Sequence, residues 1–576
     1  MCVPDKEVAG GRGGSAEPAY ASRAQRASTP LSPCGRVSLA APSPRARRVH
    51  RLPGGTRPLT PTARSPQPVV RSPQPARDHA HAARAVALRP VRQSNLGETS
   101  PPVRRAGFAI GIAALVTILL LDPPAGMPLP AWRVAAVAAL LATWWVTEAI
   151  PISATALVPL LLFPVLGVAS MNAAAAPYAN PVIFLFLSGF LLAAALQRVG
   201  LHRRLALAIV AAVGTRPDHL VLGFITATAA VSMWVSNTAT VVMLLPLATP
   251  VLELLHGDRD PAKHDGRRQF EVALLLGIAY AASIGGLGTL IGTPPNALLA
   301  GFMAETHGTR IEFGRWMLVG VPLVLIGIPA TWLVLTRVMF RVPKEVAAGT
   351  ADALRQQRLE LGPISRGEWM VGAVVALAAA SWIMQPVLDR IIPGLTEPGI
   401  GIAAALLLFM LPIGGGRPAL DWKAAEGLPW GVLVLFGGGL SLAAAIQGSG
   451  LSTWLGESLG GLRVLPLWLI VVIVATVVVF LSELTSNTAT AAAFLPLSSS
   501  LAVGIGADPI VLTLPTALAA SIGFMMPVGT PPNALVFGTG RIRIAEMVRA
   551  GLLLNLVMIA VVSALSYWMA GVVVQR

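Results

Sequence analysis

Ser236-Asn237-Thr238-Ala239-Thr240 recurs 250 positions later as Ser486-Asn487-Thr488-Ala489-Thr490, and both copies are embedded in apolar sequence. Each is followed by a Gly-Thr-Pro-Pro-Asn run, Gly292 to Asn296 and Gly529 to Asn533. A polar, helix-breaking loop in lipid leaves backbone groups without partners unless it is packed in protein or lines a cavity. Two such loops in corresponding places point to a secondary carrier made of two repeats, with its binding site where the repeats meet.

The repeat extends beyond the motif. Gly189 matches Gly439, Gln197 matches Gln447, Gly200-Leu201 matches Gly450-Leu451 and Pro246 matches Pro496, all at an offset of 250. The Gly-Thr-Pro-Pro-Asn runs are offset by 237 instead; the 13-residue difference falls in the polar loop around His256–Arg268. Matched positions over this length mark an internal duplication.

Composition sets the class. The chain of 576 residues is 54% hydrophobic and only 12% charged, against about a quarter charged in soluble proteins. Its net charge of +16 is concentrated in one place: residues 1–106 hold 18 Lys/Arg and 5 Asp/Glu, and the remainder 25 and 22. That Arg-, Pro- and Ala-rich tail has no apolar run long enough to pack, so disorder is expected there. A cytoplasmic extension, an over-extended reading frame and an organellar transit peptide all fit it. Nucleic-acid binding does not, because its arginines are neither interleaved with aromatics nor set on a helical face. Both cysteines, Cys2 and Cys34, lie in the tail, so the membrane part has no disulfide and no Cys metal site.

Apolar stretches long enough to be read as spans fall near 107–122, 131–149, 152–168, 181–200, 270–302, 316–341, 368–388, 396–413, 428–447, 509–538 and 546–573. The two that carry Gly-Thr-Pro-Pro-Asn are expected to be broken helices. Stretches 219–254 and 465–503 are two apolar arms around a Ser-Asn-Thr centre, which suits re-entrant hairpins; one long tilted span is the other reading. Before each lies an amphipathic segment, 201–214 and 450–464, suited to the interface. With the tail in the cytoplasm, 19 of the 25 later Lys/Arg fall in or beside cytoplasmic loops, as the positive-inside rule requires. Five spans per repeat then make the halves inverted. The chain divides into the tail (1–106), a first span (107–130), repeat one (131–341), a cytoplasmic linker (342–367) and repeat two (368–576). The expected fold is an all-α polytopic membrane protein with eleven helices and two hairpins.

Hydroxyls, an Asn amide and freed carbonyls are uncharged oxygen ligands suited to a hard monovalent cation such as Na⁺. The N–H groups at the starts of the broken helices favour an anion. The simplest arrangement is two pseudo-symmetric cation sites flanking one anion. No intramembrane His/Asp/Glu or Ser/Lys constellation supports an enzyme, and no Gly-x4-Gly-Lys-Ser/Thr loop supports a nucleotide-driven pump. Re-entrant loops also occur in channels, but paired discontinuous helices favour a carrier. Glu483, beside the second motif, tunes that site or is a hydrogen-bonded structural carboxylate. Glu148 is read as structural, and Trp132, Trp316 and Trp369 at span ends as interfacial anchors.

Several runs together resemble the divalent-anion/sodium symporter family, the sodium-coupled di- and tricarboxylate and sulfate transporters. They are Trp144–Pro151, Ser232–Thr240, Ser283–Asn296, Ser482–Thr490 and Met526–Asn533. The resemblance covers residue 106 to the end. It implies an elevator-type carrier, a homodimer in the bilayer with a fixed scaffold and a moving transport domain. It also implies one Na⁺ site at Ser232, Ser236, Asn237 and the Gly292 backbone, and a second at Ser482, Ser486, Asn487 and the Gly529 backbone. Ser482 stands where many relatives have Thr, which keeps the hydroxyl. Substrate carboxylates would meet Asn237, Thr238, Asn487 and Thr488, with Thr293, Pro294, Thr530 and Pro531 lining the pocket. The implied function is Na⁺-driven symport of C4-dicarboxylates such as succinate, malate or fumarate in the plasma membrane, with no cofactor beyond the coupling ion. Sulfate or citrate as cargo, or dicarboxylate exchange without net Na⁺ drive, are the alternatives.

Overall fold

The apolar stretches fold as helices whose lengths follow their prolines and polar breaks. A computed structural model describes residues 101–256, 261–342, 349–414 and 416–574. The expectations for residues 1–100 and for part of the linker, 343–348, lie outside the described residues. Apart from a short ribbon, Pro412–Gly414 paired with Arg417–Pro418, the regular structure there is helical.

Among the described residues, seven helices are long and apolar enough to cross a membrane, and an eighth candidate, Arg366–Ile383 with Gln385–Ile391, is a pair bent by 84°. Three more of the eleven expected spans fall on short apolar helices: Ile152–Val165, Glu397–Met410 and Ile510–Ala520. The first of these is interrupted at Ala156-Leu157, with Pro159 and Pro164 in its second piece, where each ring removes a backbone donor. The first helix starts at Pro101 rather than 107. It packs on Leu129–Thr147, with Gly107 against Thr147 and Gly111 against Trp144, where a Cβ would collide. Phe108 stacks on Trp144 at 5.1 Å. Such small residues let two helices approach where lipid offers no hydrophobic drive.

Both hairpins form where the sequence places them. The first is Pro217–Ser232 and Asn237–His256, and the second is Leu467–Ser482 and Asn487–Gly504. An arm of 16 residues is about 24 Å long, short of the roughly 30 Å hydrocarbon core. The amphipathic segments are helices Leu201–Val213 and Leu451–Ser458. Each Gly-Thr-Pro-Pro-Asn run breaks a helix: Pro261–Gly286 resumes as Pro294–His307, and Ile510–Ala520 as Pro531–Phe537.

Each break is braced by the helix that follows it. Gly320, on Phe313–Leu333, sits against the carbonyls of Leu287 and Gly288, and Gly551, on Ile544–Val573, sits against Phe524 and Met525. Trp316 is 1% exposed and donates its indole N–H to Leu287 O at 3.0 Å. It therefore caps a carbonyl freed by the break and is not an interfacial anchor. Trp369, by contrast, is 69% exposed. Ion pairs Arg268–Glu546 (2.6 Å) and Arg541–Glu271 tie the first half to the second.

Candidate functional site

The first hairpin turns at Met233–Ser236, and Thr240 N–H closes the restart of the helix on Ser236 O at 2.9 Å. The second repeats this with Thr490 N–H on Ser486 O at 2.8 Å. In the first half, Ser232 Oγ lies 2.8 Å from Asn237 Oδ1 and 2.7 Å from Ala282 O. In the second, Ser482 Oγ lies 3.4 Å from Asn487 Oδ1 and 2.9 Å from Ala520 O. A serine has one hydroxyl proton, so each trio of oxygens is short of protons and presents spare lone pairs.

The broken helices add to these clusters. Asn296 Nδ2 donates to Gly286 O (3.1 Å) and Thr289 O (2.8 Å), and Asn533 Nδ2 donates to Gly523 O (2.9 Å) and Met526 O (3.1 Å). The asparagines of the two Pro-Pro-Asn runs thus pin equivalent loops. A Cβ at Gly286 would lie 2.6 Å from Asn237 Oδ1 and 3.2 Å from Gly292 O, and one at Gly292 would lie 2.4 Å from Gly286 O. The oxygens of hairpin and loop therefore converge in space that only glycine leaves open. The buried oxygens without a hydrogen-bond partner include two matching pairs, Ser283 Oγ with Ser521 Oγ and Asn296 Oδ1 with Asn533 Oδ1. Orphaned acceptors without charge fit a monovalent cation better than a divalent one.

The halves differ at one position. Glu483 is buried at the end of the first arm of hairpin two; its counterpart at an offset of 250 is Met233. The Glu483 carboxylate accepts from the backbone N–H groups of Phe524 (2.7 Å), Met525 (2.9 Å) and Met526 (2.9 Å), and from Asn555 Nδ2 (2.6 Å). It is the hydrogen-bonded carboxylate of the two sequence readings, and its Oε2 lies directly against Gly529.

Between the hairpin tips and the breaks lies a cavity of about 1060 Å³. Ser236, Asn237, Thr238, Gly292, Thr293, Pro294, Ser486, Asn487, Thr488, Gly529, Thr530 and Pro531 all line it. Of the site residues expected from the sequence, only Ser232 and Ser482 do not; both are buried behind their asparagines. The helices starting at Asn237, Asn487 and Pro294 direct their N-termini to this space, where backbone N–H groups stabilise negative charge. Sequence reasoning missed Phe186, Phe190, Gln197, His202 and Val432, which line the cavity from the surrounding helices. The matched pair Gln197/Gln447 was the one signal that pointed there. Glu148, read from sequence as structural, also lines the cavity, with a left-handed backbone at φ 47°. Arg104 Nε donates to its carbonyl at 3.1 Å.

Comparison with known proteins places the chain in a family. Residues 104–574 match the family described as the sodium:sulfate symporter transmembrane region. A Staphylococcus saprophyticus protein named sodium-dependent dicarboxylate transporter SdcS is 41% identical over 473 residues, covering 80% of this chain and 91% of that protein. A Staphylococcus aureus (strain USA300) protein of the same name is 39% identical over 474 residues, covering 81% and 91%. Among solved structures, the Alcanivorax borkumensis YdaH transporter aligns at a TM-score of 0.48 and 15% identity, over 77% of this chain and 98% of that one. A match from residue 104 to 574, with the helical architecture and the doubled motifs it spans, makes this chain a multi-pass membrane protein of the sodium:sulfate symporter family.

Proposed function

We propose that the protein is a secondary carrier that couples Na⁺ to the uptake of C4-dicarboxylates such as succinate, malate or fumarate across the plasma membrane. The observation that carries this reading is the single cavity faced by both Ser-Asn-Thr tips and both Gly-Thr-Pro-Pro breaks. Its relatives at 39–41% identity are named for sodium-dependent dicarboxylate transport. Ser232, Ser236, Asn237 and the Gly292 backbone hold one Na⁺, and Ser482, Ser486, Asn487 and the Gly529 backbone hold the second. Bound between them, the dianion meets Asn237, Thr238, Asn487 and Thr488, with Thr293, Pro294, Thr530 and Pro531 closing the pocket. Its two charges offset the cations, so the loaded site carries little net charge through the membrane.

Loop charge supports a cytoplasmic N-terminus and inverted repeats. On that topology Glu148, Gln197, His202, Gly427 and Pro429 sit at cytoplasmic span ends, and all line the cavity. On this reading the cavity opens inward, and the carrier works by an elevator cycle in which a homodimeric scaffold supports a moving transport domain. The test is uptake of labelled succinate into proteoliposomes with inward Na⁺, inward K⁺ or internal succinate alone. Uptake that requires Na⁺ is the expected result. Uptake that needs only internal dicarboxylate makes the protein an exchanger, and uptake of sulfate or citrate in place of succinate changes the cargo.

A further inference from the structure

His202 stands on the amphipathic helix Leu201–Val213 and lines the same cavity as the two Ser-Asn-Thr tips, together with Gln197 and Glu148, which on the proposed topology lie at its inner mouth. Its Nδ1 is 2.8 Å from Leu196 O. A carbonyl oxygen only accepts, so Nδ1 carries the proton, and Nε2 is the titrating nitrogen of a half-buried ring. At the matching position of the second repeat stands Ser452, which lines a separate cavity of about 400 Å³ with Gln447. The repeat has thus placed an ionisable ring in one mouth where its twin has a hydroxyl.

We propose that His202 is a carboxylate-binding residue of the inner mouth, which on protonation at Nε2 holds a departing or entering dicarboxylate and makes handling at this face depend on internal pH. The proposal rests on the dicarboxylate reading above. The surroundings favour a ring that is neutral until the anion arrives. Burial, opposed by the Leu196 carbonyl and reinforced by the neighbouring Arg203, holds the free imidazole below its usual pKa. The other charged groups nearby are engaged or exposed. Arg198 is turned to Asp421, Arg204 to Glu368, and Asp218 to Arg216 and Arg337. His219 lies against Gly214, and Glu253, Asp352, Arg355, Arg358 and Glu360 face solvent. Glu148 shares the cavity. A dianion beside Nε2 raises the ring's pKa. By linkage, affinity rises as pH falls toward the pKa of the free ring.

The test uses the full-length protein in oriented proteoliposomes, exchanging internal succinate for labelled external succinate, with internal pH set at about 6 or about 8. In wild type, half-saturation by internal succinate should fall about fivefold at the acid pH, the order of one charge-assisted hydrogen bond at partial protonation. His202→Asn keeps a donor for Leu196 O, and His202→Gln keeps the reach into the cavity; neither titrates. Both should flatten the profile, and the substrate's own protonation cancels because it is common to all three proteins. Exchange by both variants with the wild-type pH profile overturns the proposal. An acid effect that comes from the outer face and disappears in His202→Asn overturns the sidedness. Absence of succinate exchange in wild type at any pH overturns the dicarboxylate reading itself, which is a separate failure.

Discussion

Two asparagine oxygens and one carboxylate stand at the centre of the proposed site. Asn237 and Asn487 each face a proton-poor oxygen cluster on one side and the cavity on the other. Asn237→Ala and Asn487→Ala should each abolish succinate uptake in proteoliposomes while membrane insertion is retained; wild-type rates in either would remove these residues from the site. Glu483 holds three successive backbone N–H groups of the second break. In Glu483→Gln the amide nitrogen must face at least one of those donors, a mismatch that costs roughly 1–3 kcal/mol. A lower melting midpoint in detergent is expected, together with a larger rise in the Na⁺ needed for half-maximal uptake than in the KM for succinate. An equal rise in both would point to a general loosening. The motif itself revealed Asn237 and Asn487, because Ser-Asn-Thr in apolar sequence is conspicuous. The four-donor environment of Glu483 was not legible, since Asn555 lies 72 positions away and nothing in the sequence brings the two together.

At the scale of elements, polarity contrast is what made the chain readable. Both hairpins fall within a few residues of 219–254 and 465–503, because each Ser-Asn-Thr motif restarts a helix at its asparagine, and both breaks end at the paired prolines, which take the first positions of the resumed helices. The 84° bend before Gln385 was missed, because Pro386 alone does not specify an angle. Phe186, Phe190 and Val432 were missed because an apolar residue on an apolar helix gives no sign of which face meets the cavity. The breaks depend on close backbone approach, which gives a direct test. Gly286→Ala puts a Cβ 2.6 Å from Asn237 Oδ1, and should raise the Na⁺ requirement about tenfold or abolish uptake, on the scale of one lost charge-assisted contact. Gly448→Ala, where a Cβ meets nothing within 4 Å, is the control and should transport as wild type. Equal behaviour of the two variants would show that the cradle around Gly286 is not needed for coupling.

For the whole molecule, the family match begins at residue 104, which leaves the basic tail outside the matched region. Deleting residues 2–100 should preserve both insertion and Na⁺-dependent uptake; insertion with loss of uptake would give the tail a part in transport. The doubling of the site also bears on how such a carrier diversifies. Much of each oxygen cluster is main chain: Ala282, Gly286 and Gly292 in one half, Ala520 and Gly523 in the other. Replacing a side chain leaves a peptide carbonyl in place, so the proposed Na⁺ ligands lie largely beyond the reach of point mutation. Cavity walls such as Phe190, Val432 and His202 have no such protection. Descendants of one ancestor are thereby free to trade one anion for another while inheriting the same ionic motor.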